Sequence, residues 1–148
     1  MPSNAELVCA RVVQALLDAD TPATDVCRDR EDAVTREESP LYLIEALDED
    51  TQPLGGGAPM IGGQDQDTLR FAVTAVVRGA NWQATADTLR CAAHRVLATD
   101  AGLRGLLIGL RRERCEWRPA SADQPFAYAA QIYLAKYRTP SLALDASL

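Results

Sequence analysis

The chain is poor in the residues from which catalytic and metal sites are built. Among its 148 residues there is one histidine, His94, and one lysine, Lys136. It has no run of about 18 apolar residues, so no segment is long enough to cross a bilayer as a helix. The opening Met1-Pro2-Ser3-Asn4-Ala5-Glu6 lacks the basic start and apolar core of a signal peptide, and the chain reads as a protein made and kept in the cytoplasm. No pair among Cys9, Cys27, Cys91 and Cys115 has C-x-x-C spacing, and only His94 could add an imidazole to them. A zinc site needs about four clustered ligands, so no metal or other cofactor is expected. In a reducing compartment the four cysteines are expected as buried or half-buried free thiols rather than two disulfides.

Catalytic pairings are equally sparse. His94 is the only base that titrates near neutrality. Cys91 lies one helical turn before it, but a nucleophile must come within hydrogen-bond distance of its base. Helical phase puts His94 on a polar face, as a bystander. The acid pairs Asp48/Asp50 and Asp65/Asp67 fall in a glycine-rich stretch, whereas acid–base catalysis by carboxylates needs rigid groups at fixed separation. The glycines are not followed by G-K-[ST], so a phosphate loop is not expected either. The chain is therefore not read as an enzyme.

What is present is a globular composition, with 47% hydrophobic and 24% charged residues. A chain of this length can bury roughly 68–70% of its unfolded surface without staples. The net charge of −6 disfavours a grip on a phosphate backbone, and no specific nucleic-acid binding is expected. The charge is unevenly spread. Residues 1–67 hold 15 acids and 4 arginines, net −11, and residues 68–148 hold 6 acids and 11 bases, net +5. Such a split either neutralises itself across one sheet or lets an acidic face of one copy meet a basic face of the next.

Periodicity supplies the elements. Residues 4–18 read as an amphipathic helix, with Ser3 or Asn4 as its cap and Val8, Cys9, Val12, Ala15 and Leu16 on one face. Residues 25–28 allow a short edge strand, and the charged run from Arg28 to Glu38 a solvated loop or helical turn. Leu41–Leu47 alternates as a strand. Residues 48–67, with five glycines and two prolines, read as a long flexible loop. Thr68–Arg78 is the clearest strand, and Gly79-Ala80 turns the chain toward a helix that Asn81 can cap. That helix runs to about Thr99, with Trp82, Ala86, Leu89, Ala93, Val96 and Leu97 as its buried stripe. Leu107–Arg118 and Phe126–Arg138 read as two further strands, the second carrying Phe126, Tyr128, Ala130, Ile132 and Leu134 on one face. Residues 139–148 read as a loose tail.

These elements predict an α+β fold: a largely antiparallel sheet of four to five strands with two amphipathic helices on one face. Residues 1–140 form one domain, followed by a tail at 141–148. Leu41–Leu47 is expected to pair with Thr68–Arg78, and Leu107–Arg118 with Phe126–Arg138.

The one basic patch is Arg104, Arg111, Arg112, Arg114 and Arg118. Plain alternation would point Arg112, Arg114 and Arg118 one way and Arg111, Cys115 and Trp117 the other. The patch lacks the interleaved aromatics of a nucleic-acid stacking platform. It is either a solvated strand face or a subunit interface. For the interface, the candidates are Arg111, Arg112, Arg114 and Trp117, since arginine and tryptophan are enriched at binding hot spots.

Taken in order, several segments carry a family likeness. They are the helix with Val12-Val13-Gln14-Ala15-Leu16-Leu17, the stretch Val26-Cys27-Arg28-Asp29-Arg30, and Pro40-Leu41-Tyr42-Leu43-Ile44-Glu45. The strand Leu69–Val77 follows, then Ala86-Asp87-Thr88-Leu89-Arg90 running on to Val96-Leu97. Leu106-Leu107-Ile108, Arg112 to Trp117, and a last strand ending Ile132 to Thr139 complete the pattern. Over about residues 4–140 this succession resembles the tail terminator (minor tail, tail-completion) proteins of tailed phages. The resemblance implies a structural subunit that forms a ring, typically of six, on the last ring of the tail tube, and is compatible with a monomer when free. Such a ring stops tail polymerisation and offers a surface to the head. The implied partners are further copies of the chain, the tail tube protein and a head-completion protein, with assembly in the host bacterial cytoplasm and a final place in the virion tail. The pattern transfers no individual site residue. Two other readings stand beside it: another neck or head–tail connector subunit, and a small-ligand binding module.

Overall fold

A computed structural model describes residues 1–28, 39–54, 63–140 and 144. In chain order the elements are α1 (Asn4–Asp18), β1 (Asp25–Arg28), β2 (Leu41–Pro53), β3 (Gln64–Val77), α2 (Trp82–Thr99), α3 (Ala101–Leu106), β4 (Gly109–Arg118) and β5 (Ala127–Pro140). The strands form one sheet in the order β1-β2-β3-β5-β4. β2–β3 and β5–β4 pair antiparallel as expected, and an antiparallel β3–β5 ladder joins the two pairs. β1 is parallel to β2, which makes the sheet mixed. The result is the expected α+β fold.

The helices lie on one face of the sheet. α1 buries Val8, Cys9, Val12, Ala15 and Leu16, and the Ser3 hydroxyl caps it by accepting from the Glu6 N–H at 3.2 Å. α2 buries Ala86, Leu89, Ala93 and Leu97. Beneath them are Tyr42 and Ile44 of β2, alternate residues Leu69 to Val77 of β3, and Ala127, Ala129, Tyr133, Ala135 and Tyr137 of β5. Phe71 and Tyr133 stack at 5.3 Å between ring centres in the middle of this layer. The Tyr42 hydroxyl donates to the Leu89 carbonyl at 2.7 Å and ties β2 to α2, while burial raises its pKa to about 12.

Four expectations need correction. Residues 48–53 and 64–67, read as loop, continue β2 and β3 as a regular ladder from Asp48↔Arg70 to Pro53↔Asp65. This stem is exposed along β2, so no apolar alternation marks it. Leu103 to Leu106, between the helix expected to end near Thr99 and the strand expected from Leu107, belong to α3, because the Asp100 carboxylate caps a new helix by accepting from the Leu103 N–H at 2.9 Å. Asn81 precedes α2 without a side-chain cap, and the turn before it is made by Gly79 at φ +105°. Thr139 and Pro140, read as the start of a tail, close β5, whose ladder with β3 reaches Gln64↔Pro140. The stretches 29–38, 55–62, 141–143 and 145–148 lie outside the described residues. They include nearly all of the charged run after Arg28, the glycine cluster after Leu54, and the expected tail except Leu144, whose carbonyl accepts from the Asn4 N–H at 2.9 Å.

Candidate functional site: the open sheet face and its two charged edges

The side of the sheet opposite the helices has no element packed on it among the described residues. Phe126, Tyr128, Ala130 and Ile132, the apolar stripe read from β5, line this open side together with Leu43, Ala72, Thr74 and Val76. They line a trough of about 510 Å³ whose floor is mostly apolar and closely packed, with Ala72, Val76, Phe126, Ala130 and Ile132 themselves buried. Arg78 stacks its guanidinium 5.0 Å from the Phe126 ring centre at one end.

Register turns this face into rows. Glu45, Ala72, Ile132 and Arg114 lie side by side across β2, β3, β5 and β4. Asp48, Arg70, Leu134 and Arg111 form a second such row. In both rows the acid stands on β2, at one side of the sheet, and the arginine on β4, at the other. Arg70 links the second row by donating to Asp48 at 2.8 Å and to Glu113 at 3.0 Å. The opposite charges of the two halves of the chain thus become opposite sides of one sheet, while β3 and β5 between them are largely apolar.

The candidate interface residues separate. The ladder shifts between Arg112 and Arg114, so Glu113 is an extra residue in β4. A bulge resets the alternation, and the grouping expected from plain alternation fails for that reason. Arg111 and Arg114 share the open face with Arg118. Arg112 pairs with Tyr133, Cys115 with Gln131 and Trp117 with Ala129, so these three point to the helix side. There Trp117 sits 6.3 Å from the Trp82 ring and 5.3 Å from the Arg90 guanidinium, which fastens α2 to β4 and leaves Trp117 36% exposed. Arg111 and Arg112 have no ion-pair partner among the described residues, and Arg114 has only an exposed contact with Glu116 at 3.2 Å.

His94 is not the bystander its helical phase suggested. It is half-buried, with Nδ1 3.0 Å from the Tyr133 hydroxyl and its ring stacked on Tyr133 at 5.8 Å. Burial, then the nearby Arg112 and Arg90, pushes its pKa below the ordinary histidine value. The bulge accounts for part of this, because it turns Arg112 toward the helix side. Burial pushes the Cys115 thiol up, away from thiolate character. None of the four cysteines is in a disulfide, and Cys91 is exposed. Among the described residues no cluster of three or more His, Cys, Asp or Glu side chains could hold a metal ion. The chemistry this surface offers is apolar contact along the trough and charge pairing at its two sides.

Sequence reasoning missed the acidic side. Alternation puts Glu45 on a strand and the glycine-rich composition puts Asp48 in a loop, and the bulge at Leu47 hides their common face. The one available signal was the acid-rich composition of residues 45–50.

No family model matches the chain, and no curated protein matches it. Among solved structures, the fold is similar to that of a chain described as the virion of a native gene transfer agent particle, at 18% sequence identity and a TM-score of 0.50. The likeness covers 84% of this chain and 90% of that one, and at this identity it is a likeness of fold.

Proposed function

We propose that this chain is a structural subunit of a phage-like particle, and that within it the chain is the tail terminator. Copies of it form a ring, typically of six, that caps the tail tube, stops its polymerisation and offers a surface to a head-completion protein. Its role is assembly rather than catalysis. The observation that carries the reading is the fold likeness to a virion chain, which extends over most of both chains. The order of elements read from the sequence agrees with it. A sheet acidic at one side and basic at the other suits a heterologous contact, the kind that closes into a ring when each copy is rotated relative to the last. Arg111, Arg112, Arg114 and Trp117 remain proposed interface residues, with Arg111 and Arg114 placed best to reach a neighbour.

A neck or head–tail connector subunit is the second reading, because the likeness is to a chain of a whole virion and does not single out the end of the tail. Electron microscopy of particles made without this protein separates the two. Overlong or uneven tail tubes, returned to uniform length by adding the purified protein, support the terminator. Tails of normal length that fail to join heads support the connector and end the terminator reading.

A further inference from the structure

Two clefts meet at His94, between α2 and the outer strand β4. The first is shallow, about 500 Å³, and opens where β4 bulges. Arg90, His94, Arg111, Arg112 and Arg114 line it, and its one acid is Glu113. The second, about 350 Å³, continues past His94 toward α3. It is largely apolar, with Leu97, Leu103, Leu107, Ile108 and Leu110 in its walls. Ile108 stands 53% exposed there.

The charge of the first cleft is not balanced from within. Arg70 holds Glu113 at 3.0 Å. Asp87, one turn before Arg90 on α2, accepts from that arginine at 2.8 and 3.2 Å. Arg90 also donates to the Gln131 side chain at 3.1 Å and lies over the Trp117 ring, so its guanidinium is held in place. Arg112 has no ion-pair partner among the described residues. The surplus positive charge is felt at His94, which Arg112 and Arg90 help burial to keep neutral.

We propose that the two clefts together receive an extended segment of a neighbouring protein, with a carboxylate side chain in the first and an apolar side chain two residues away in the second. The origin of the segment, another protein of the particle, rests on the structural-subunit reading above.

Three features carry it. The first is charge. A guanidinium without an internal partner suits an oxyanion, which it grips through parallel N–H bonds. The second is spacing. Leu110 pairs with Ala135 and Arg112 with Tyr133, so they are alternate residues on the helix side of β4, about 7 Å apart. Alternate side chains of an extended peptide have the same separation, so one can reach the apolar cleft while the other reaches Arg112. The third is backbone. The outer edge of β4 is unpaired among the described residues. The strand is regular from Gly109 to Arg112, and its bulge comes after that. Free N–H and C=O groups along such an edge can hold an added segment. A nucleic acid fits less well. It brings no apolar side chain for the second cleft, and the chain carries a net charge of −6. Trp117, the aromatic side chain nearest Arg90, is already engaged by that arginine and by Trp82 rather than open for stacking.

The chain's only histidine supplies the probe. The ring signals of His94 are followed by NMR at constant pH while the peptide acetyl-Ser-Thr-Glu-Thr-Leu-Ser-amide is added to the full chain up to millimolar concentration. A saturable shift of those signals is expected. Replacing the glutamate of the peptide with glutamine, or its leucine with serine, should weaken binding about tenfold or more, the worth of one charged hydrogen bond or one buried apolar side chain. Arg112→Gln in the protein should weaken it as much. Lys136→Gln, on the opposite face of the sheet, should leave it unchanged. The absence of a saturable shift overturns the proposal, and so does binding that ignores the leucine. Inorganic phosphate or oligothymidylate that binds as tightly as the peptide also overturns it, since the cleft would then be a general anion site. Tail length in particles made without the protein is a separate readout. Peptide binding together with tails of normal length keeps the cleft and removes the terminator, and overlong tails without peptide binding do the reverse.

Discussion

Asp100 accepts two hydrogen bonds from Arg11, at 2.8 and 2.7 Å, while also accepting the Leu103 N–H that opens α3. One carboxylate thus fastens α1 to the α2–α3 junction. A Cβ on Gly102 would meet the Arg11 side chain, which explains a glycine in the first turn of so short a helix.

Replacing Asp100 with alanine removes the cap and the clamp together. Loss of the cap alone costs about 1 kcal/mol, read as a lower Tm by circular dichroism. The Arg11 guanidinium holds the Asp100 carboxyl below its ordinary pKa of 3.8. A carboxyl whose folded pKa is depressed stabilises the fold above its unfolded value and loses that contribution as pH falls through the folded one. The gap between the parent and Asp100→Ala should therefore hold from neutral pH down to about 4, then narrow in more acidic solution. Asp100→Asn, which keeps an acceptor for the cap, should lose less.

The stem of the β2–β3 hairpin has its own anchor. Asp67 is 3% exposed and accepts from the hydroxyls of Thr51 at 2.6 Å and Thr139 at 2.7 Å, joining β2, β3 and β5. Asp67→Ala strands the buried Thr139 hydroxyl, and an unsatisfied buried polar group costs about 1–3 kcal/mol. At roughly 2–4 °C per kcal/mol for a chain of this size, Tm should drop by roughly 2–12 °C. Amide exchange should speed up first at Thr51, Gln52 and Gln66, close to the lost bonds.

The contrast between these two sites explains what was legible in the sequence. α1, α2 and the central parts of β2, β3 and β5 carry apolar residues at a fixed period because each lays one side on a core, and a period can be read. The stem around Asp67 is held by hydroxyl–carboxylate bonds with β2 exposed, so its residues look like those of a loop. The open face was half visible: its apolar stripe on β5 could be counted off, but a stripe does not say whether a helix covers it. The arginines of β4 were visible as a group. Their division between faces was not, because one extra residue at Glu113 inverts the alternation without any mark in composition.

His94 gives the chain a pH response in a window where few other groups titrate. Its pKa is held below the ordinary 6.5 by burial and by Arg112 and Arg90. The unfolded chain therefore takes up a proton before the folded one does as the solution is acidified. Stability is full above about 6.5 and declines as pH falls through that value, levelling only below the depressed folded pKa. His94→Gln should flatten the fall in Tm between pH 7 and 5.5. Arg112→Gln should lessen the fall as well, because it removes a positive charge that opposes protonation of His94. A Tm that falls as steeply in His94→Gln as in the parent would assign the response to another group.

The bulge itself can be tested apart from the charge of Glu113. Glu113→Ala removes only an exposed pair with Arg70, and such pairs contribute little to stability. Deleting Glu113 does something different. Straight alternation would then turn one part of β4 over relative to the other. Leu110, which packs against the core on the helix side, would swing to the open face if Cys115 and Trp117 kept their places. Should Leu110 hold its position instead, Trp117 would leave Trp82 and Arg90. Either outcome exposes an apolar side chain whose full burial is worth roughly 1.5–3 kcal/mol, so the deletion should lower Tm well beyond the Glu113→Ala change. Tryptophan fluorescence distinguishes the routes. A red shift reports the release of Trp117, whereas an unchanged spectrum with a lowered Tm reports the loss of Leu110. A deletion variant as stable as Glu113→Ala would mean that β4 tolerates either phase, and that the bulge does not set which arginines reach the open face.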